Sequence, residues 1–272
     1  MGYKRILTVQ DISCVGKCSM SIALPVLSAC GHEVCILPTA VLSTHTGFPT
    51  KPSVCHMDDF LHGITEHWAG EGICFDMILT GYLGSVHSVE RVIDICNRML
   101  KPSGELIVDP AMADHGRMYS GLSESYAEAI KKLCAKADII IPNITEAAIL
   151  TDVPYQEPDE KYVSELLELL PCAGAVLTGV GYNRNETGAE IVYQGVRRGY
   201  RHPRFDKNYH GTGDLFAACF AGARACGKDI TESVKIAADF TAMSIEKTWN
   251  DPAGCYGVKF EPLLWRLHDM LK

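Results

Sequence analysis

Short apolar runs recur along the chain, each broken by a polar or glycine-bearing stretch: RILTVQ at 5–10, VCILPTA at 34–40, DMILTG at 76–81, ELIVDP at 105–110, DIIIPN at 138–143 and GAVLTG at 174–179. Runs of this length, rich in Ile, Val and Leu and apolar on both faces, predict strands of a parallel sheet. Between them the apolar positions fall three and four apart, which predicts helices, among them Ser88–Leu100 and Ser123–Ala137. After Val180 the pattern changes. AEIVYQGV and RRGYRHPRF predict a hairpin or an antiparallel edge, followed by helices over Gly211–Gly227, Ile230–Lys247 and Glu261–Leu271. Such alternation predicts an α/β fold, and open sheets of this kind bind ligands beyond the carboxyl ends of their strands. No linker, repeat or low-complexity segment interrupts the pattern, so a single domain over residues 1–272 is expected.

Composition narrows the function. A chain of 272 residues that is 47% hydrophobic can bury a full core. The balance of 25 basic and 33 acidic residues gives a charge of −8, and no basic run is longer than a pair such as Arg197-Arg198, which speaks against nucleic acid as a partner. No apolar run is long enough for a membrane span. The start MGYKRILTVQ places a charged pair ahead of a strand-like run rather than a signal sequence, and Ile6 spoils a myristoylation pattern. With twelve cysteines and no leader, a reducing, cytoplasmic setting is expected. Cys14 and Cys18 are four apart, Cys30 and Cys35 five, and C-x-x-C is absent, so the thiols read as buried structural groups rather than metal ligands.

Polar residues mark four strand ends: Asp11, Tyr82, Asp109 and Asn143. Each alone could be a cap or turn residue; together they predict one rim. Two familiar motifs fail. DISCVGKCS lacks the first glycine of a P-loop, and Cys18 follows Lys17 where a Ser or Thr should hold Mg²⁺. No G-x-S-x-G elbow occurs, and the ten histidines are scattered, with His45 alone read as a site residue. Three stretches resist a structural reading: DPAMAD at Asp109–Asp114, PNITEAAIL at Pro142–Leu150, and GTGD at Gly211–Asp214. A helix opening with Gly211, Thr212 and Gly213 lets a ligand approach the backbone, and its unpaired N–H groups favour an anion. Asp214 beside them is either a helix cap or a reagent. Asn143 and Glu146 stand three apart at a strand end and helix start, where Glu146, like Asp109, could hold the water shell of a Mg²⁺ ion. Such a sparse acidic set suits a nucleotide–Mg²⁺ complex, held by helix amides and metal rather than by a basic surface.

The N-x-x-E motif followed by G-T-G-D at a late helix resembles the ribokinase-like superfamily of small-molecule kinases. STHTG at Ser43–Gly47, GYLGS at Gly81–Ser85 and DPAMAD resemble, within it, the pyridoxal, pyridoxine and pyridoxamine kinases. The resemblance implies a three-layer α/β/α sandwich with a mostly parallel sheet and an antiparallel edge, and ATP-dependent phosphorylation of the 5'-hydroxymethyl group of a B6 vitamer. Asp214 would be the base, and the amides of Gly211, Thr212 and Gly213 would stabilise the transferring phosphoryl group. Asn143 and Glu146 would act on the ATP phosphates and Mg²⁺, with Asp109 nearby, and Thr178 and Gly179 would adjoin the nucleotide. Asp114 and the position of Ile141 correspond to a monovalent cation site, K⁺ for example. Thr46, Tyr82 and the loop of His45 would face the pyridine ring, and the family suggests a homodimer.

The chain departs from that pattern at Asp11, where vitamin B6 kinases usually carry Ser. An acid nearby is a feature of hydroxymethylpyrimidine kinases, which typically carry Cys where Asp214 stands. The early glycine pair of sugar kinases is missing. A vitamer- or nucleotide-binding protein without catalysis is the reading of another class, and Asp214 with Glu146 argues against it, since a pure binder needs no base at an anion hole.

Overall fold

The computed structural model describes residues 2–207, 209–251 and 256–272. Nine strands form one sheet in the order β11-β10-β9-β8-β5-β4-β1-β2-β3. The six central strands, β1 (Arg5–Ser13), β2 (Glu33–Leu42), β4 (Phe75–Thr80), β5 (Leu100–Val108), β8 (Ile139–Ile140) and β9 (Gly174–Thr178), run parallel. Both edges are antiparallel, with β3 (Val54–His56) on β2 and the hairpin of β10 (Glu186–Tyr193) and β11 (Val196–Pro203) on β9. Gln194 and Gly195, both at positive φ, make the two-residue turn of that hairpin.

Helices cover both faces. The alternating side chains of the strands divide the core in two: Leu7, Val9, Ile78, Val108 and Ile140 face α2 (Asp58–Gly70), α3 (Val86–Met99), α4 (Glu124–Cys134), α5 (Ile144–Thr151) and α6 (Glu160–Leu169). Ile6, Met77, Leu79, Ile107 and Val176 face α1 (Met20–Ala29), α7 (Thr212–Ala225), α8 (Ile230–Thr248) and α9 (Leu264–Met270). This is the three-layer α/β/α sandwich. Helix α7 is buried nearly all round, and its small residues allow close packing: a Cβ on Gly222 would run into Sγ of Cys30 at the end of α1.

Several expected elements are corrected. The run 138–143 holds only a two-residue strand, because Pro142 ends the ladder and Asn143 caps α5. The expected helix over Glu261–Leu271 begins as a 3-10 turn, Glu261–Leu263, before α9. The hairpin of β6 (Ala113–Asp114) and β7 (Arg117–Met118) was not expected, and the helix after β1, α1, begins only at Met20. The eleven cysteines among the described residues are free thiols. Cys30, Cys96, Cys134 and Cys219 are buried as expected, whereas Cys14 and Cys55 are exposed; Cys255 lies outside the described residues.

Candidate active site

The anion-binding helix start is built as its glycines require. Gly211 is the N-cap of α7 at φ +79, and a Cβ there would strike the carbonyl oxygen of Lys17 and stand 2.6 Å from Cδ1 of Ile22. The Thr212 hydroxyl donates to the carbonyl of Tyr209 at 3.2 Å, fixing the chain into the turn. Beyond Gly213 the space is open. Asp214 lies in the first turn without being the cap, half-buried, and its pKa is pushed up to about 6. Burial is the main cause; the charge of Asp11 adds to it, and the Ser19 amide works against it.

Asp11, expected to follow the first strand, is placed differently. It lies inside β1, where the pairing with β2 shifts register between Gln10 and Ile12, and such a bulge re-aims a side chain. Its carboxyl is 5% exposed and accepts from the Ser13 hydroxyl at 3.4 Å. Burial raises its pKa, against hydrogen bonding from Ser13 and Ser19. Asp11 caps no helix: α1 starts at Met20 with Ser19 as its N-cap. Burial, and then the charge of Asp11, raises the Tyr82 hydroxyl, so Tyr82, Asp11 and Asp214 share one region of the rim. The thiol of Cys18, raised chiefly by burial and then by Asp214 and Asp11, is a fourth member that the sequence did not single out.

On the other side of Asp214 the N-x-x-E motif forms a clamp. Asn143 and Glu146 make a reciprocal capping box: Oδ1 of Asn143 accepts the Glu146 amide at 3.0 Å, and Oε2 of Glu146 accepts the Asn143 amide at 2.9 Å. Both side chains also reach the β6–β7 segment. Oε1 of Glu146 accepts from Met112 at 2.9 Å, Nδ2 of Asn143 donates to the carbonyl of Ala113 at 2.8 Å, and Thr145 accepts the Gly116 amide at 2.9 Å. Glu146 is 2% exposed, and its pKa rises to about 7, chiefly through burial and against the amides. Asp109 is half-buried, with Oδ1 accepting the Ala111 amide at 3.1 Å. Its carboxyl is held well above the usual range by burial, then by Glu146 and Asp214. Tyr119, missed in the sequence, has its hydroxyl raised by burial and by all four carboxylates of this end, Glu146, Asp109, Asp114 and Asp214. No sequence spacing signals it.

The remaining residues frame these two clusters. Thr178 bridges to Asn143, its amide and hydroxyl both directed to the Pro142 carbonyl at 2.8 and 3.3 Å, and Gly179 follows at φ +73. Asp114 is exposed on the hairpin, 3.5 Å from Nε2 of His115, while Ile141 is buried. Thr39 holds the backbone of Tyr82 through its carbonyl at 3.0 Å, and Ser85 caps α3 while donating to Asp58 at 2.6 Å. Thr46 is exposed at a loop tip beside buried His45. Among the described residues no three His, Cys, Asp or Glu side chains gather as a metal-binding group, and no helix is long and apolar enough to cross a membrane.

With this geometry in view, comparison with known proteins is direct. The family described as phosphomethylpyrimidine kinase matches residues 58–259. The crystal structure of pyridoxal kinase from Lactobacillus plantarum superposes with a TM-score of 0.91 at 33% identity, covering 99% of this chain and 98% of that one. A Bacteroides thetaiotaomicron protein, provisionally named a phosphomethylpyrimidine kinase and crystallised in an orthorhombic form with pyridoxal, superposes at 0.90 with 29% identity over 99% of this chain and 96% of its own. A pyridoxal kinase of Corynebacterium diphtheriae is 28% identical over 90% of this chain and 89% of its own length. A family match over most of the chain and an end-to-end likeness at 33% identity place this protein in the phosphomethylpyrimidine kinase family, on the vitamin B6 kinase side of the ribokinase-like superfamily.

Proposed function

We propose that the protein transfers the terminal phosphoryl group of ATP to the 5'-hydroxymethyl group of a B6 vitamer, pyridoxamine, pyridoxal or pyridoxine. The observation that carries this reading is Asp214, an acid with a pKa near 6 in the first turn of a helix opened by Gly211. A base is most effective when its pKa lies close to the working pH, and this one stands beside amides suited to a phosphoryl group. In this reading Asp214 takes the proton of the substrate hydroxyl. The amides of Gly211, Thr212 and Gly213 hold the phosphoryl oxygens, and Asp11, His45, Thr46 and Tyr82 surround the ring.

Asp109 and Glu146 supply oxygen donors of the hard kind that suits Mg²⁺, and their mutual repulsion is what a cation would relieve. With both Glu146 oxygens engaged by amides, Asp109 would be the freer carboxylate to hold an ion, and Glu146 would act through its water shell. Bound Mg²⁺ would neutralise charge on the ATP phosphates. Asn143, Thr178 and Gly179 face the nucleotide, and Asp114 with a monovalent cation such as K⁺ completes the proposed set. The exposed edge strand β3 and exposed Phe60 support a homodimer, and free thiols throughout the described residues support a cytoplasmic setting.

The test is ADP release, by a coupled assay, with pyridoxamine, pyridoxal, pyridoxine and hydroxymethylpyrimidine supplied in parallel. The likeness to a protein named hydroxymethylpyrimidine/phosphomethylpyrimidine kinase makes hydroxymethylpyrimidine the competing substrate. Turnover of any vitamer above the pyrimidine supports the proposal. The reverse order assigns the enzyme to pyrimidine phosphorylation, and binding without ADP release makes it a non-catalytic binder.

A further inference from the structure

The residue directly before the anion-binding helix, His210, packs against the loop of the STHTG stretch. Its ring centroid lies 4.8 Å from that of His45, which is itself 4.8 Å from Phe48, and Phe48 meets Tyr256 edge-on at 5.3 Å. The backbone of Gly47 fits against the face of His210 so closely that a Cβ would stand 2.7 Å from Nδ1 and nearer still to Cε1 and Nε2. His45 is likewise pressed on Gly16, where a Cβ would be 2.8 Å from Nε2, and Nδ1 of His45 accepts the Gly47 amide at 3.1 Å. Gly16 leads to Lys17, whose carbonyl abuts Gly211 and whose amide donates to the carbonyl of Tyr256 at 2.8 Å. Loops from the ends of β1, β2 and β11, with Tyr256 from the segment after α8, thus meet at one cluster of rings, one residue from the first anion-binding amide.

We propose that His210 is a positioning residue that locks the loop of Ser43–Gly47 to the start of α7, so that the ring-facing loop and the phosphoryl-facing amides are held as one unit. This rests on the vitamer-kinase reading for its consequence but not for its geometry. The two glycines are the complement of the two histidine rings: a side chain on Gly47 and the ring of His210 compete for one volume, so the pair is coupled by packing. Loosening the contact frees the loop while leaving Asp214, Asp109 and Glu146 in place. The vitamer then binds less well, and water reaches the phosphoryl acceptor position more often.

A double-mutant cycle on His210 and Gly47 tests this. His210→Ala and Gly47→Ala should each raise the KM for vitamer roughly tenfold, in the range that contacting pairs reach, with the KM for ATP within about twofold of wild type. Both should raise the fraction of ATP hydrolysed without vitamer. In the double variant the new methyl occupies the space left by the ring, so its vitamer KM should match a single variant rather than the product of the two. His210→Phe keeps a flat ring and should restore the KM. Hydrogen exchange of segment 43–53 in the ligand-free chain reads the lock without any substrate, and should quicken in both single variants and not in His210→Phe. Unchanged exchange in His210→Ala, or multiplicative effects in the double variant, overturns the lock. A loss of kcat shared by His210→Phe and His210→Ala at constant KM overturns it too, since the imidazole would then act in the chemistry. Quickened exchange in a protein that phosphorylates no vitamer leaves the lock standing and removes the substrate reading instead.

Discussion

Glu146 holds Met112 across the active-site rim: its Oε1 accepts the Met112 amide at 2.9 Å while its Oε2 closes the capping box on Asn143. The same side chain therefore supports the β6–β7 hairpin and stands beside Asp109, so it carries a folding role and a charge role together.

Glu146→Gln separates them. The amide group turns one acceptor into a donor and leaves a buried N–H without a partner, which costs about 1–3 kcal/mol. A lower melting temperature is expected in the ligand-free protein. If Glu146 also supports the Mg²⁺ water shell, the Mg²⁺ concentration for half-maximal rate rises, with less change in vitamer affinity. Equal loss of vitamer affinity would place Glu146 on the wrong side of the site.

Asp214→Asn removes the proposed base and keeps the shape. A fall in kcat of roughly 10²–10⁴ is expected, as for loss of general-base catalysis, with ATP affinity retained in a binding titration. Activity within a few-fold of wild type would make the residue structural.

Part of the molecule was legible in the chain and part was not, for physical reasons. The apolar runs at β1, β4 and β9 marked strands because both faces of a central sheet are buried. The bounds of helix α1 were not readable, because MSIALPVLSA is apolar or small throughout and contains Pro25, leaving no clear helical period. At the site, glycines and the first-turn acid of α7 were readable from local chemistry alone. The bulge that turns Asp11 inward was not, since it depends on pairing with β2. Asn143 and Glu146 were visible as a spaced pair, but the hairpin that they hold is closed by His115 and Gly116, both at positive φ, and His115 gives no turn signal in sequence.

The raised Asp214 carboxyl predicts two pH effects. Because the base must be ionised, kcat/KM should fall on the acid side with an apparent pKa near 6, and Asp11→Asn, which removes a neighbouring negative charge, should move that limb to lower pH. Stability follows the opposite sense. From its ordinary value of 3.8 up to about 6, the folded chain holds this proton more tightly than the unfolded chain, so stability present below pH 3.8 is lost as the pH rises through 6. At about 1.4 kcal/mol per unit the loss approaches ~3 kcal/mol. Thermal melts should therefore fall less steeply between pH 4 and pH 7 in Asp214→Asn than in wild type; parallel curves would contradict the buried charge.

In the proposed site Asp11 would set the choice among vitamers. An ionised carboxylate facing the ring site favours a cationic amine, which pyridoxamine carries at neutral pH and pyridoxal does not. Asp11→Ser should lower kcat/KM for pyridoxamine more than for pyridoxal, by about tenfold for each 1.4 kcal/mol lost. A uniform loss, or none, in side-by-side assays would remove Asp11 from substrate recognition.

The reciprocal box at the start of α5 has a bearing on how relatives of this chain should be sorted. A descendant that abandoned phosphoryl transfer would still need an acceptor for the amides of Met112 and Asn143, or its hairpin would come loose. Selection on folding alone would then preserve the asparagine and the glutamate long after chemistry had gone. A search built on N-x-x-E would thus collect proteins by architecture, silent ones included, and with Asp214 as the proposed base the position three residues after Gly211 would separate working from retired enzymes only among relatives that carry an acid there, not among those with Cys.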